Sequence, residues 1–341
     1  MKPLKVLVLM HEDLVPPDSV NGLSNQDVAA FKTEYDVVKT LKRLGHDAKA
    51  LGVSTDLGAI RTALFDFKPD IAFNLLEEFH GVPVYEQHVV AYLELSRQAY
   101  TGCNPRGLML AHDKALAKKL LAYHRIRVPD FVVFPRERVF RRPARLKFPL
   151  LVKSTTLEGS EGIAQASVVR DDERLKERVE FIHAQIGTDA LVEEYIEGRE
   201  LYVAMLGNRR VRALPIWELL FTDWPEGAPR IATARVKWNL AYQKERGIVS
   251  RAAKDLPEGA EERIRRLCRR IYRVLGLSGY ARIDLRLTPE GKVYVLEANP
   301  NPMLARGEDF ADAAKSAGLS YGRLLQRILA LGLAYRAEWM G

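Results

Sequence analysis

Polar and apolar residues alternate from Tyr280 to Leu287 and again over 292–298, with Thr288-Pro289-Glu290-Gly291 between them. Alternation with period two marks a half-buried strand. Proline followed by glycine supplies the fixed φ and the positive φ of a turn, so the stretch predicts a β-hairpin. A four-residue loop sets Leu287 opposite Lys292 and Arg282 opposite Glu297. Side chains on a strand alternate faces. Arg282, Asp284, Glu297 and Asn299 therefore share one face, and Ile283, Leu285, Tyr294 and Leu296 take the other.

The same reading of periodicity predicts strands over 5–10, 47–51 and 71–75, with helices over 27–44 and 57–67 between them. This β-α-β-α-β order implies an open parallel sheet with crossover helices. Ligands of such sheets lie beyond the carboxyl ends of the strands, where His11-Glu12 and Glu77-Glu78-Phe79-His80 fall. Further on, His112-Asp113-Lys114 opens a helix through His124, and a strand over 148–153 ends in Lys153. A small-residue loop covers 155–162, and Asp171 caps a helix that runs to Gln185. Strands follow over 191–196, 201–206 and 211–216. Residues 221–251 are polar with little periodicity, as functional lids are. A helix over 261–275 leads into the hairpin, and a helix over 310–331, broken around Gly318, closes the chain.

A chain of 341 residues accommodates two or three domains. Its 47% apolar and 28% charged residues are ordinary for a globular protein. The net charge of +8 raises the question of nucleic acid. No basic block is interleaved with aromatics, however, and the densest run, 136–147, reads as a solvated loop. An enzyme for anionic nucleotides fits the charge as well. Cys103 and Cys268 are far apart, with neither disulfide nor metal spacing. With no signal peptide and no run of about 18 apolar residues, the expectation is a cytoplasmic protein without nucleic-acid or membrane partners.

Two carboxylates, an amide oxygen and a guanidinium converging at one hairpin end need a reason. Unpaired carboxylates in an apolar setting repel and raise a pKa. A hard cation such as Mg²⁺ removes the conflict and shares its shell with phosphate and water. The alternative is an exposed hairpin on which Arg282 pairs with Glu297. Lys114, Lys153 and the 155–162 loop suit a triphosphate, lysine supplying charge and loop N–H groups cradling oxygens. No GK[ST] follows the loop, so it is not a Walker motif.

The spacing Arg282-x-Asp284 and Glu297-x-Asn299 resembles the ATP-grasp ligases, most closely their D-alanine–D-alanine ligase branch. Matches at Lys114, Lys153 and 193–200 extend the resemblance over nearly the whole chain. It implies an α/β ATP-grasp fold in three parts: an N-terminal domain over 1–104, a central subdomain with the phosphate loop over 105–192, and a C-terminal subdomain with the metal and catalytic residues over 193–341. It also implies ATP, with two Mg²⁺ ions at Asp284, Glu297 and Asn299, for which Mn²⁺ can substitute. Lys114 and Lys153 would bind phosphates beneath a loop containing Ser160. Glu193, Glu194, Tyr195 and Ile196 would lie at the adenine edge, and Glu200 would accept the ribose hydroxyls. Lys237 would reach the γ-phosphate, Arg282 would hold the oxyanion, and Glu34 would contact the first substrate's amino group.

Three stretches depart from the family pattern. EEFHGVPVYEQ replaces a Gly/Glu/Asp-rich motif. Trp238 stands where the family has tyrosine, and an indole donates a hydrogen bond but cannot accept one. PMLARGEDF puts Glu308, followed by Asp309, where a serine binds the second substrate's carboxylate. The expected activity is an ATP-dependent carboxylate–amine ligase acting on small molecules through an acyl phosphate, with an acceptor other than D-alanine. The alternatives are a true D-alanine–D-alanine ligase and a nucleotide-binding protein without ligase chemistry. The oligomeric state stays open, a homodimer included.

Overall fold

The computed structural model describes residues 2–138, 141–157, 159–160 and 162–337. Val139 and Phe140 of the basic run, and Glu158 and Glu161 of the small-residue loop, lie outside the described residues. Three sheets carry the fold, one after another along the chain.

The first is parallel, in the order β2-β1-β3. It is built from β1 (Lys5–His11), α1 (Asn25–Ala30), α2 (Lys32–Arg43), β2 (Asp47–Val53), α3 (Leu57–Phe67) and β3 (Ile71–Asn74), with α4 (Glu86–Leu95) following. Val6 to Met10 have no exposed surface, as expected for a central strand covered on both faces. The helix expected over 27–44 is two helices. Ser24 and Asp27 form a capping box that starts α1, and Phe31 leaves helical geometry at φ −121° before α2 begins.

Next come α5 (Pro105–His112) and α6 (Lys114–Tyr123). The single helix expected from His112 is also split. Asp113 sits at ψ 92° and accepts the Leu116 N–H at 2.8 Å, the geometry of an N-cap, so His112 belongs to the preceding helix. The second sheet is antiparallel, in the order β4-β7-β5-β6, made from β4 (Phe131–Phe134), β5 (Leu150–Ser154), β6 (Val168–Val169) and β7 (Ala190–Glu194). Asp171 caps α7 (Asp172–Phe181) as read from the sequence.

The third sheet runs β10-β9-β8-β11-β12, from β8 (Arg199–Leu206), β9 (Arg212–Phe221), β10 (Ile248–Ala252), β11 (Tyr280–Leu287) and β12 (Val293–Asn299). The polar stretch before β10 holds two short helices, α8 (Ala234–Trp238) and α9 (Leu240–Glu245). α10 (Ala260–Val274) covers one face of this sheet, packing Ile264, Cys268 and Ile271 in the cluster of Leu201, Val203, Ile283 and Leu285. α11 (Asp309–Ser316) and α12 (Tyr321–Ala334) cover the Tyr280 end of the other face, through Phe310 and Leu324. That second face is left open beyond Tyr280, at Arg282 and Asp284. Among the described residues no helix is long and apolar enough to cross a membrane.

The hairpin register differs from the expected one. Thr288 N–H bonds the Lys292 carbonyl, so Leu287 pairs with Val293. A bulge between Asp284 and Leu285 then adds one residue on β12, placing Asp284 opposite Glu297 and Arg282 opposite Asn299. Two shifts of one restore the parity of the polar face. They do not restore the apolar one: Val295 and Ala298 are the buried partners of Leu285 and Ile283, while Tyr294 and Leu296 are half-buried on other surroundings. The consecutive apolar pair Val295-Leu296 is the sequence signal of the bulge.

Gly332 lies inside α12, where alanine would gain about 1 kcal/mol of helix propensity. A Cβ there would stand 2.3 Å from the Tyr100 carbonyl oxygen, and overpacking costs about 1–3 kcal/mol, so the clash wins. Gly332→Ala is expected to lower the free energy of urea unfolding by about 1–2 kcal/mol. Gly322→Ala in the same helix, with Leu44 Cδ2 as nearest atom at 3.4 Å, is expected to be neutral or stabilising. Equal stability of the two variants would refute the close seating of α12.

Candidate active site

The open face of the third sheet gathers the polar residues of the hairpin. Arg282 Nε and Nη2 donate to Asp284 Oδ1 and Oδ2, both at 2.7 Å, and its guanidinium lies 4.7 Å over the Tyr202 ring. The partner of Arg282 is thus Asp284 and not Glu297, because the shifted register puts Asn299 opposite the arginine. Asn299 Oδ1 accepts the Asn301 N–H at 2.9 Å. Burial opposes ionisation of Glu297, yet Lys114, Lys153, Lys237 and Arg282 outweigh it and hold this carboxyl down to about 2. Glu297 is therefore an anion surrounded by cations that come from α6, β5, α8 and β11.

Behind Glu297 lies a buried network that sequence reasoning missed in part. Glu193 on β7 is 1% exposed and meets Lys153 at 2.8 Å and Lys118 at 2.9 Å. Burial pushes Glu193 up, but the two lysines win and lower it. Burial brings Lys118 down to about 8, with Glu193 opposing. Lys118 also donates to the Leu296 carbonyl at 2.9 Å, at the bulge. Its signal was its place four residues after Lys114, on the stripe that continues to buried Leu121. Arg286 was missed too. It continues the period-two series of Arg282 and Asp284, donates to Glu200 at 2.8 Å and to the carbonyls of Gly198 and Arg230 at 3.1 and 3.0 Å. A third missed set is buried Glu86, which meets His112 at 3.4 Å and accepts from Asn301 at 3.1 Å.

Two cavities meet at Lys237 and Glu297. The narrower is a slot with apolar walls from Leu151, Ile163, Ile231 and Leu296. Lys153, Ser160, Glu193, Glu194, Tyr195, Ile196, Glu200 and Asp284 also line it. Glu200 is engaged there by the Tyr202 hydroxyl at 2.9 Å as well as by Arg286. The wider cavity, about 790 Å³, is lined by Arg282, Asn299, Glu308 and Asp309, and at its far end by His11, Glu77 and Glu78. Lys114 lines neither; its Nζ donates to the Leu157 carbonyl at 2.7 Å and stands 4.0 Å from Glu297. Glu34 lines neither and is buried on α2. Of the strand-end residues, Glu12 instead accepts from Ser54 at 2.7 Å.

The donor set suits a hard cation that shares its shell with phosphate oxygens. Among the described residues no three His, Cys, Asp or Glu side chains form a metal cage. Asp284 and Glu297 line the slot beside Lys153 and Lys237, and Asn299 lines the wider cavity next to Glu297; oxygen donors of this kind suit Mg²⁺ that shares its shell with phosphate. The polar stretch over 221–251 meets the small-residue loop without a tyrosine: Trp238 Nε1 donates to the Gly159 carbonyl at 3.1 Å. A backbone acceptor accommodates an indole, which has only a donor to offer.

The chain matches the family described as D-ala D-ala ligase C-terminus over residues 120–330. An uncharacterized protein of Sinorhizobium fredii is 33% identical over 304 residues, 86% of this chain and 85% of its own. A D-alanine–D-alanine ligase of Desulforudis audaxviator is 29% identical over 316 residues, 92% of this chain and 96% of its own. In fold the chain is similar to the D-alanine–D-alanine ligase of Bacillus anthracis complexed with ATP, with a TM-score of 0.75, 22% identity and 97% of both chains covered.

Burial raises the Glu34 carboxyl to about 7. Between its unfolded value, about 4.5, and 7, the folded protein keeps a proton that the unfolded chain releases, so stability falls as pH rises through that window. Above it the full penalty, about 3 kcal/mol, is present. Glu34→Gln is expected to be more stable than the parent at about pH 8 by up to that amount, and equal to it near pH 4.5. Parallel stability–pH curves for the two proteins would show that Glu34 is not a buried charge.

Proposed function

This chain belongs to the D-alanine–D-alanine ligase family, and from that premise we propose that it joins a carboxylate to an amine with ATP, releasing ADP and phosphate. The narrow slot takes the nucleotide: the base lies between Leu151 and Leu296 along residues 193–196, and Glu200 receives the ribose hydroxyls with its remaining lone pairs. Lys114, Lys153 and Lys237 neutralise the phosphates beneath the loop of Ser160. Asp284, Glu297 and Asn299 hold Mg²⁺, two ions on this reading, which supplies charge neutralisation to the transferring phosphoryl group. The carboxylate substrate lies at the mouth of the wider cavity and is activated as an acyl phosphate. The amine then attacks, and Arg282 stabilises the oxyanion that develops. The observation that carries this reading is the meeting of both cavities at Glu297 and Lys237, with an ionised carboxylate ringed by lysines.

A second reading, nucleotide binding without ligation, has one observation in its favour. The two hydrogen bonds from Arg282 to Asp284 give the arginine a partner that needs no oxyanion.

Two variants test these readings. Glu297→Gln keeps the shape but removes the charge that a hard cation needs, and is expected to lower Mg²⁺-dependent ADP release by about 100-fold or more. Wild-type turnover at saturating Mg²⁺ would remove Glu297 from the metal site. Arg282→Lys keeps a cation beside Asp284 but loses the planar fork. Its kcat is expected to drop about 100-fold, with ATP affinity by calorimetry changed only a few-fold. A parallel loss of both would make Arg282 a structural partner of Asp284, and a parent protein that binds ATP without Mg²⁺-dependent ADP release would favour the binding-only reading.

A further inference from the structure

Resting on the ligase reading, we propose that the acceptor carries a second positive charge, or at least no carboxylate, at the end remote from its attacking amine: a diamine-type acceptor in place of an amino acid. The wider cavity has two permanent cations among its lining residues, Lys237 and Arg282, and both sit at its reacting end. One carboxylate, the one to be activated, has a site there. A second has none. Past Arg282 the wall continues through Met303 and Gly307 to Glu308, Asp309 and Asp312. In the other direction it reaches Glu77, Glu78 and Glu86, where His11 and His112 are the only basic groups among the described lining residues.

Three features could have rescued a carboxylate site, and each is committed elsewhere. Arg306, four residues past Pro302, is turned onto α2. Its backbone N–H donates to Asp36 at 2.9 Å, its Nη2 to Thr40 Oγ1 at 2.7 Å, and its guanidinium stacks 4.2 Å from the Tyr321 ring. Lys32 reaches Glu308 at 3.6 Å but does not line the cavity; Asp309 accepts from Ser250 and faces Arg282, and Asp312 is left to the site. The N-terminus of α11 would attract an anion, yet Glu308 stands at its N-cap position and Asp309 and Asp312 occupy its first turn. Burial raises both Glu308 and Asp309, a cost that an incoming cation relieves and an incoming carboxylate increases.

The test offers Mg-ATP and a panel of D- and L-amino acids as carboxylate donors with three acceptors of matched size. These are 1,2-diaminopropane, alaninamide and alanine, whose remote group is respectively cationic, neutral and anionic. Phosphate release is expected to have kcat/KM for the diamine about tenfold or more above that for alanine as acceptor, with the amide between them. The double variant Glu308→Gln/Asp312→Asn is expected to shrink that ratio to near unity. Alanine as the best acceptor, or a ratio unmoved by the double variant, overturns the proposal. If no pair releases phosphate above the rate with ATP alone, the ligase reading fails, and calorimetry with a non-hydrolysable ATP analogue bound still decides the charge question. Tighter binding of the diamine than of alaninamide, lost in the double variant, upholds it; equal binding overturns it.

Discussion

The site depends on the burial of Glu193 between two lysines. A carboxylate at 1% exposure is tolerated only when paired, because desolvation otherwise costs more than the fold can offset. Lys153 pairs with it inside the second sheet. Lys118 pairs with it from α6 and at the same time holds the Leu296 carbonyl on β12. One ammonium thereby ties the second sheet to the third at the hairpin bulge. That bulge sets Glu297 opposite Asp284. Without it, the one-residue shift at the turn would set Glu297 opposite Ile283 and turn Glu297 and Asn299 away from the face of Arg282 and Asp284.

Around this junction positive charge is supplied in excess by separate elements. Lys114 comes from the start of α6, Lys153 from the end of β5, Lys237 from the lid and Arg282 from β11. An arrangement that lowers Glu297 so far is one that welcomes more negative charge, as a triphosphate brings. Arg286 serves the same region mechanically: it bonds Glu200, Gly198 and Arg230, joining the start of β8 to the polar stretch before β10. Further along that stretch the Trp238 indole donates to the carbonyl of Gly159. The wider cavity changes sign away from the junction, and this polarity distinguishes its two ends.

Much was legible in the chain because it rests on local rules. Period-two alternation located β11 and β12 and paired Arg282 with Asp284 and Glu297 with Asn299; all four share one face because the two register shifts cancel in parity. Caps were read correctly where one side chain decides them, as at Asp171. The apolar runs of β1 and β3 and the helix periodicity of α3 predicted the first sheet. The order of motifs sufficed to recognise the family, since spacing along a strand translates directly into geometry.

What the sequence left open depends on groups distant along the chain. The bulge at Leu296 is held by Lys118, 178 residues away. The partner of Arg282 followed from register, which the turn and the bulge set together. Glu34, chosen by its place early in a helix, is buried away from both cavities, because the orientation of α2 is decided by its packing on β2 and α12. Arg306 was equally free, in sequence, to face the cavity or to leave it; Asp36, Thr40 and Tyr321 decided that it leaves. Residue types and their spacing thus determined which chemistry this protein could assemble. Only the packing of separate elements decided which charges face one another, because a buried charge takes whichever partner the fold brings within reach.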